Sequence, residues 1–292
     1  MIKEAIQHCP GVGPVRLSKL HQSGVRTWAD VLDCWQRIPD SLRGNLIDES
    51  RRCLEALKAG DIQYFVDRFA PQDKWRILAH YLDQASYFDI ETAGLENDSP
   101  ITVIVCWHKG QLLSFVEHEN LDDFLHLLDD VTLLVSFNGS SFDVPRILDV
   151  FHIPELPCPH VDLRWLLFHR GIRGGLKDIA KRMAITRPAD LCNVDGEIAV
   201  QLWSSWMIDN DQAARDQLIR YCGADVVLLV ILAHRLVGRF DVQTNKLWSL
   251  LPSSHTSHSP TNQTASCSRE TGSAFGCGSP SRLRARRIKR VG

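Results

Sequence analysis

Ser86-Tyr87-Phe88-Asp89-Ile90-Glu91-Thr92 is the stretch on which the fold turns. Its aromatic and β-branched residues read as a strand, so residues two apart point the same way and Asp89 and Glu91 leave one face together. Tyr87, Phe88 and Ile90 are odd company for a merely solvated edge. Outward from it, apolar runs at Ile101–Trp107 and Leu112–Val116 are separated by the turn residues Lys109-Gly110. The spacing predicts a three-stranded antiparallel meander. A helix near Leu121–Leu128, a strand at Thr132–Phe137, a short strand around Cys158–Asp162 and then helices to Val237 follow. Strands first, then strands alternating with helices, predict an α/β fold with a mixed sheet flanked by helices.

Three further acidic or phenolic positions fit the same picture. Asp143 follows the turn in Phe137-Asn138-Gly139-Ser140-Ser141-Phe142 and opens a helical stretch. Tyr221 and Asp225, four apart in a long apolar helical pattern, share one helix face. Taken singly, Asp-x-Glu reads as a solvated edge, Asp143 as a helix-start residue and Tyr221 as a satisfied, half-buried aromatic. Asp225 resists such a reading, because an unpaired carboxylate beside the run Val226–Leu232 is costly. Three elements can thus aim acidic oxygens at one point. Like charges there would force protonation unless compensated; two Mg²⁺ or Mn²⁺ ions, which favour carboxylate oxygens, would compensate them.

The ordered set resembles the DEDD 3′–5′ exonucleases of the ribonuclease H-like superfamily, in the subclass with tyrosine in the third motif. Asp89 and Glu91 match the first motif, Asp143 the second and Tyr221-x-x-x-Asp225 the third; the histidine subclass would need His at position 220, where Arg220 stands. The likeness covers roughly residues 75–238. It extends through His160-Val161-Asp162-Leu163, Gly174-Gly175-Leu176-Lys177, Asp195-Gly196 and Ala199–Trp203, which are similar to a mostly bacterial family of ribonuclease H-like proteins. The resemblance implies metal-dependent hydrolysis of a single-stranded DNA or RNA 3′ end by two metals roughly 3.5–4 Å apart. Asp89 would bridge both ions, Glu91 and Asp225 would complete one coordination sphere, and Asp143 would act on the second through water. Tyr221 would orient or help deprotonate the attacking water. Lys177 is a candidate phosphate contact against the plainer reading of an exposed helix lysine. Asp162 is a second-tier candidate at the metals against the plainer reading of a cap on the helix from Leu163. Trp165, Trp203 and Phe142 could stack on bases, but the surrounding apolar periodicity predicts core packing for each. A catalytically silent nucleic-acid-binding scaffold and a structure-selective endonuclease on the same fold are the alternatives. Retention of all five motif residues speaks against the scaffold.

Residues 1–72 read as a separate helical region, before a nuclease-like domain at 73–240. Apolar spacing on both sides of Gly11-Val12-Gly13-Pro14 predicts two short helices joined by a tight hairpin. With Gly24, Trp28, Val31 and Leu32, the segment resembles a helix-hairpin-helix motif. The resemblance implies that Gly11 and Gly13 bring backbone N–H groups near a nucleic-acid phosphate; domain packing or a protein partner is the competing use. Residues 42–69 read as one amphipathic helix.

Composition bounds the rest. The chain has 292 residues, 44% of them hydrophobic, and nine cysteines without paired spacing, which suggests neither a zinc site nor a disulfide framework. No leader-like start and no stretch of about 20 uncharged apolar residues is evident, so no membrane partner and a cytoplasmic location are expected. The formal net charge of −2 hides an asymmetry: Pro252–Gly292 carries +6, leaving −8 on residues 1–251. The Ser-, Thr-, Pro- and Gly-rich composition of residues 250–292 predicts a disordered basic tail.

Overall fold

The computed structural model describes residues 1–94, 96, 99–191 and 196–253; residues 254–292 of the expected basic tail and Asp195 lie outside the described residues, while Leu251, within the expected tail, is buried against the core. The N-terminal region is helical. A 3₁₀ turn at Ile2–Glu4 precedes α1 (Pro14–Gln22), α2 (Trp28–Asp33), α3 (Asp40–Ala59), α4 (Ile62–Arg68) and α5 (Trp75–Tyr81). The segment before the glycine hairpin is thus one short 3₁₀ turn rather than a helix. The long amphipathic pattern over 42–69 is also two helices. Gly60 adopts a left-handed φ of 72°, which ends α3, and the Asp61 side chain caps α4 by accepting from the Tyr64 N–H. Trp28 anchors the region: its indole N–H donates to the Ala5 carbonyl at 2.7 Å and its ring stacks on Phe65.

The sheet follows. It comprises β1 (Ala85–Thr92), β2 (Ile101–His108), β3 (Gln111–Val116), β4 (Leu133–Ser136) and β5 (His160–Asp162), in the order β3-β2-β1-β4-β5. β1, β2 and β3 pair antiparallel, as their turn residues predict, whereas β4 and β5 run parallel to β1. Helices α6 (Asp123–Leu128), α7 (Asp143–Val150), α8 (Leu163–His169), α9 (Leu176–Arg182), α10 (Gly196–Asp209), α11 (Gln212–Leu236) and α12 (Thr244–Trp248) complete the fold. The sheet is mixed and helix-flanked, as read from the sequence.

The alternation of β1 and β2 divides the core. Phe88, Ile90, Ile104 and Cys106 pack with Phe124 and Ile147 of α6 and α7. Tyr87, Val103 and Val105 face the other way, into a larger cluster that includes α11 and continues to Trp28, Leu46 and Phe65 of the N-terminal helices. Residues 1–255 accordingly form one compact unit. α11 is long and apolar enough to cross a membrane by length and composition, but 89% of its apolar window is buried inside the protein. Its apolarity is that of a core helix.

Two local features place the functional residues. β1 pairs with β4 only over Ala85–Tyr87, while its pairing with β2 continues to Thr92. The carboxyl end of β1 therefore outruns β4 and leaves an open edge at Asp89–Glu91. In α11, Gly223 lets the helix lie close on the sheet. A Cβ there would sit 3.1 Å from Leu112 and 3.2 Å from Leu251. Gly223→Val is therefore expected to overpack this contact and cost about 1–3 kcal/mol, read as a lowered urea midpoint. A midpoint equal to the parent's would show that the sheet has room to spare.

Candidate active site

Asp89 and Glu91 project from one face of β1 toward α11, as strand periodicity requires. Across from them, the middle of α11 presents Tyr221, Cys222 and Asp225. The Cys222 thiol lies 3.4 Å from the Asp89 carbonyl oxygen, so helix and strand touch at this level. Potential ligand atoms of Asp89, Glu91 and Cys222 all lie within 4.8 Å of one another. Asp143, the first residue of α7, is 3% exposed, and its carboxylate takes a backbone hydrogen bond from Ile90 on the edge that β4 leaves open. The four carboxylates predicted from three separate elements thus share one site.

Their electrostatics record the crowding. Burial pushes Asp89 well above the ordinary carboxylate range, and Asp143, Asp225 and Glu91 push it further. Glu91 is raised likewise, first by burial and then by Asp225, against the opposing pull of Lys177. Asp143 is raised by burial to about 7, although backbone hydrogen bonds hold it down. Asp225 is raised by burial and relieved by Arg187 and Lys177. Tyr221 is pushed up by burial and then by the negative charge of Asp225, Glu91 and Asp89, so its phenol keeps its proton at neutral pH.

Two cations border the cluster. Lys177, at the start of α9, donates to the Tyr221 hydroxyl at 2.5 Å and lies 3.8 Å from Asp225. Its side chain is 41% exposed, yet its ammonium reaches into the site and does not simply decorate the helix surface. Arg187 follows α9 in an irregular segment; its Nη1 is 3.0 Å from Asp225 Oδ1 and its guanidinium faces the Tyr221 ring at 5.7 Å. The sequence reading missed Arg187, because no periodicity marks a lone arginine in a loop as facing inward.

Asp143 is held from behind. Asp162 caps α8 through the Arg164 N–H at 3.0 Å and also accepts from the N–H groups of Asn138 at 2.8 Å and Ser140 at 3.1 Å. Its oxygens clasp the loop that leads to Asp143, which is the cap reading extended to a second segment. Gly139 is required there for space. A Cβ would fall 1.9 Å from Ser136 Oγ and 3.3 Å from Asp143 Oδ2. Ser136 Oγ in turn lies 2.8 Å from His160 Nε2, and burial lowers the His160 pKa to about 4, leaving the ring neutral.

Of the aromatics expected in the core, only Trp203 is buried, at 9% exposure, whereas Trp165 is 44% and Phe142 36% exposed. α8, which bears Trp165, is too short for periodicity to separate an inner from an outer aromatic, and Phe142 is the cap residue ahead of α7, where helical periodicity does not apply. Gly11 and Gly13 lie in the N-terminal helical region and not among the clustered carboxylates. Gly11 has a left-handed φ of 85°, its carbonyl accepts from Arg16, and Gly13 caps α1 ahead of Pro14.

Residues 86–237, just over half of the chain, match the family model described as the RNase_H superfamily, and the chain belongs to that superfamily. Its members are usually nucleases and generally use divalent metals, so the fold implies hydrolytic chemistry on nucleic acid. Among solved structures, a family B DNA polymerase from the hyperthermophilic archaeon Pyrobaculum calidifontis is similar at 17% identity and a TM-score of 0.43, over 58% of this chain and 27% of the polymerase chain. A comparison with curated protein sequences finds no match.

The acidic cluster makes a pH prediction. Asp143 titrates at about 7 in the folded protein against an ordinary 3.8, so folding takes up a proton between these values. Its contribution to stability is complete below the lower value and is lost as pH rises through the upper one; the raised Asp89, Glu91 and Asp225 act in the same direction. In EDTA the melting temperature should therefore be lower at about pH 8 than at about pH 5, and Asp143→Asn should flatten the difference. Added Mn²⁺ should raise it most at the higher pH. A melting temperature indifferent to Mn²⁺ at both pH values would argue against a cation site here.

Proposed function

We propose that this protein is a divalent-metal-dependent 3′–5′ exonuclease on single-stranded nucleic acid, of the tyrosine DEDD type. The observation that carries the proposal is the convergence of Asp89, Glu91, Asp143 and Asp225 at the open carboxyl end of β1, where each raises the pKa of a neighbour or is itself raised. The donor set fits Mg²⁺ or Mn²⁺. It is rich in hard carboxylate oxygens, and its uncompensated charge is of the sign that cations relieve. Asp89, Glu91, Asp143 and Asp225 are the residues that would hold two such ions. When bound, the ions supply Lewis-acid activation of water and stabilisation of the leaving oxygen.

The chain's own residues do the rest. Lys177 donates to the Tyr221 oxygen, so the phenol keeps its own proton as a donor toward the attacking water. Burial and neighbouring negative charge strengthen that choice by holding the phenol protonated. Tyr221 then orients the nucleophile and does not deprotonate it. Lys177 and Arg187 bring positive charge to the rim, where a non-bridging phosphate oxygen arrives. Asp162 and Gly139 keep Asp143 in register, acting through the loop and not on substrate. The Gly11–Gly13 hairpin, with Arg16 and Lys19 beside it, would hold nucleic acid away from the reacting bond, in keeping with its resemblance to helix-hairpin-helix motifs.

The test is hydrolysis of 5′-labelled single-stranded DNA and RNA in Mn²⁺ or Mg²⁺, with EDTA and a circular single strand as controls. A ladder shortening from the 3′ end, with the circle uncut, is expected; cutting of the circle would favour the endonuclease alternative. Asp89→Ala should abolish the ladder, and equal cleavage by this variant and the parent would sink the site. Tyr221→Phe should slow turnover roughly tenfold, the scale of one lost neutral hydrogen bond, about 1.4 kcal/mol, and leave Mn²⁺ affinity as it was. An unchanged rate would make the tyrosine structural.

A further inference from the structure

Between Leu163 and Lys177 the chain carries Arg164, Arg170, Arg173 and Lys177 and not one Asp or Glu, although residues 1–251 bear a net charge of −8. This run begins beside one half of the acidic site and ends at the other. Arg164 contacts the Asn138 side chain in the loop leading to Asp143, and Lys177 touches Tyr221. Both ends of the basic run therefore border the carboxylate cluster.

The same run exposes aromatic rings. α8 buries Leu163, Leu166 and Leu167 and turns Trp165 and Phe168 outward, 44% and 37% exposed, with ring centroids 5.6 Å apart. Three apolar residues already give this short helix its core face, so the two outward rings are surplus to packing. Guanidinium groups interleave with them: Arg164 lies 5.8 Å from the Trp165 ring centre and Arg173 lies 4.6 Å from that of Phe168. Rings for stacking and cations for phosphates, alternating along one exposed strip, are what a single strand meets in sequence-tolerant binding.

Resting on the nuclease reading above, we propose that α8 and the segment after it form the track that feeds single-stranded nucleic acid to the acidic site. Bases stack on Trp165 and Phe168, phosphates meet Arg164 and Arg173, and the terminal phosphodiester arrives at Lys177. A double helix is a poor fit, because its bases are already stacked on each other and offer no faces to the rings. An acidic protein segment could match the arginines, but it would leave unexplained why the strip joins the two halves of a phosphodiesterase-like site.

The test is equilibrium binding of a 5′-fluorescein-labelled oligodeoxythymidylate and the matching oligouridylate to the full chain in EDTA, where hydrolysis is stopped. Trp165→Ala and Phe168→Ala should each weaken binding roughly 5- to 100-fold. Trp165→Phe, which keeps a ring, should recover most of the loss. Arg173→Gln should lower the dependence of affinity on salt by about one phosphate contact. Both positions are exposed, and thermal melts matching the parent's exclude misfolding as a cause. Affinities equal to the parent's in both alanine variants, or no oligonucleotide binding by the parent, would overturn the track. The parent's cleavage of the same oligonucleotides in Mn²⁺ is read separately. Cleavage with track-independent binding would sink the track and keep the active site, and track-dependent binding without cleavage would do the reverse.

Discussion

Four carboxylates at the end of one strand set the terms for everything around them. Bringing like charges together out of water costs free energy twice, through lost hydration and through repulsion, so a fold that keeps such a cluster must fix it from several sides. Here β1 is gripped by β2 along its length but released by β4 after Tyr87, and Asp143 takes up the Ile90 backbone group that β4 would otherwise have met. α11 is brought down onto the sheet by Gly223, against Leu112 and Val105, and meets β1 where the Cys222 thiol reaches the Asp89 carbonyl. Asp162 clasps the loop that carries Asp143. Each device spends local packing freedom on one result, acidic oxygens held at a single place.

Much of this arrangement was legible in the sequence, for identifiable reasons. Strand alternation put Asp89 and Glu91 on a common face, and the four-residue helical repeat did the same for Tyr221 and Asp225. Both inferences need only the nearest neighbours in the chain. The turn chemistry of Lys109-Gly110 and Asn138-Gly139 likewise declared the meander and the start of α7. Long-range contact was less visible. Nothing local announces that Arg187 turns back to Asp225, or that Asp162 spans from α8 to the Asn138 loop. The unbroken apolar pattern over 42–69 hid a helix break because one glycine, Gly60, changes the backbone without disturbing the hydrophobic sequence on either side. Trp165 and Phe142 were misplaced for the opposite reason: they continue an apolar pattern that the fold leaves open to solvent.

The N-terminal helices illustrate how a motif can be matched in sequence and altered in structure. The glycine turn and the Trp28 anchor are present, but the element before the turn is a three-residue 3₁₀ segment, and Trp28 is spent on holding Ala5 and Phe65. The apolar cluster runs without a break from Trp28 to α11. A region so continuous with the main core is poorly suited to swinging freely on a linker, and any substrate it touches is presented at a fixed distance from the acidic site.

A negatively charged body that handles a polyanion must separate its charges in space. At physiological ionic strength an exposed charge is felt over roughly 8 Å, so the net charge of residues 1–251 decides little about what happens at one groove. What decides it is whether the approach path is locally basic and whether the endpoint can take a phosphate. The acid-free run from Leu163 to Lys177 supplies the first. The second depends on cations, because the carboxylates alone would repel a phosphodiester. On this reading the same cluster that burdens the metal-free fold becomes attractive to phosphate only when its charge has been reversed. Metal occupancy then acts as a condition for seating the terminal phosphodiester as well as for chemistry, and a strand held along the arginines before an empty site would stop short of Tyr221.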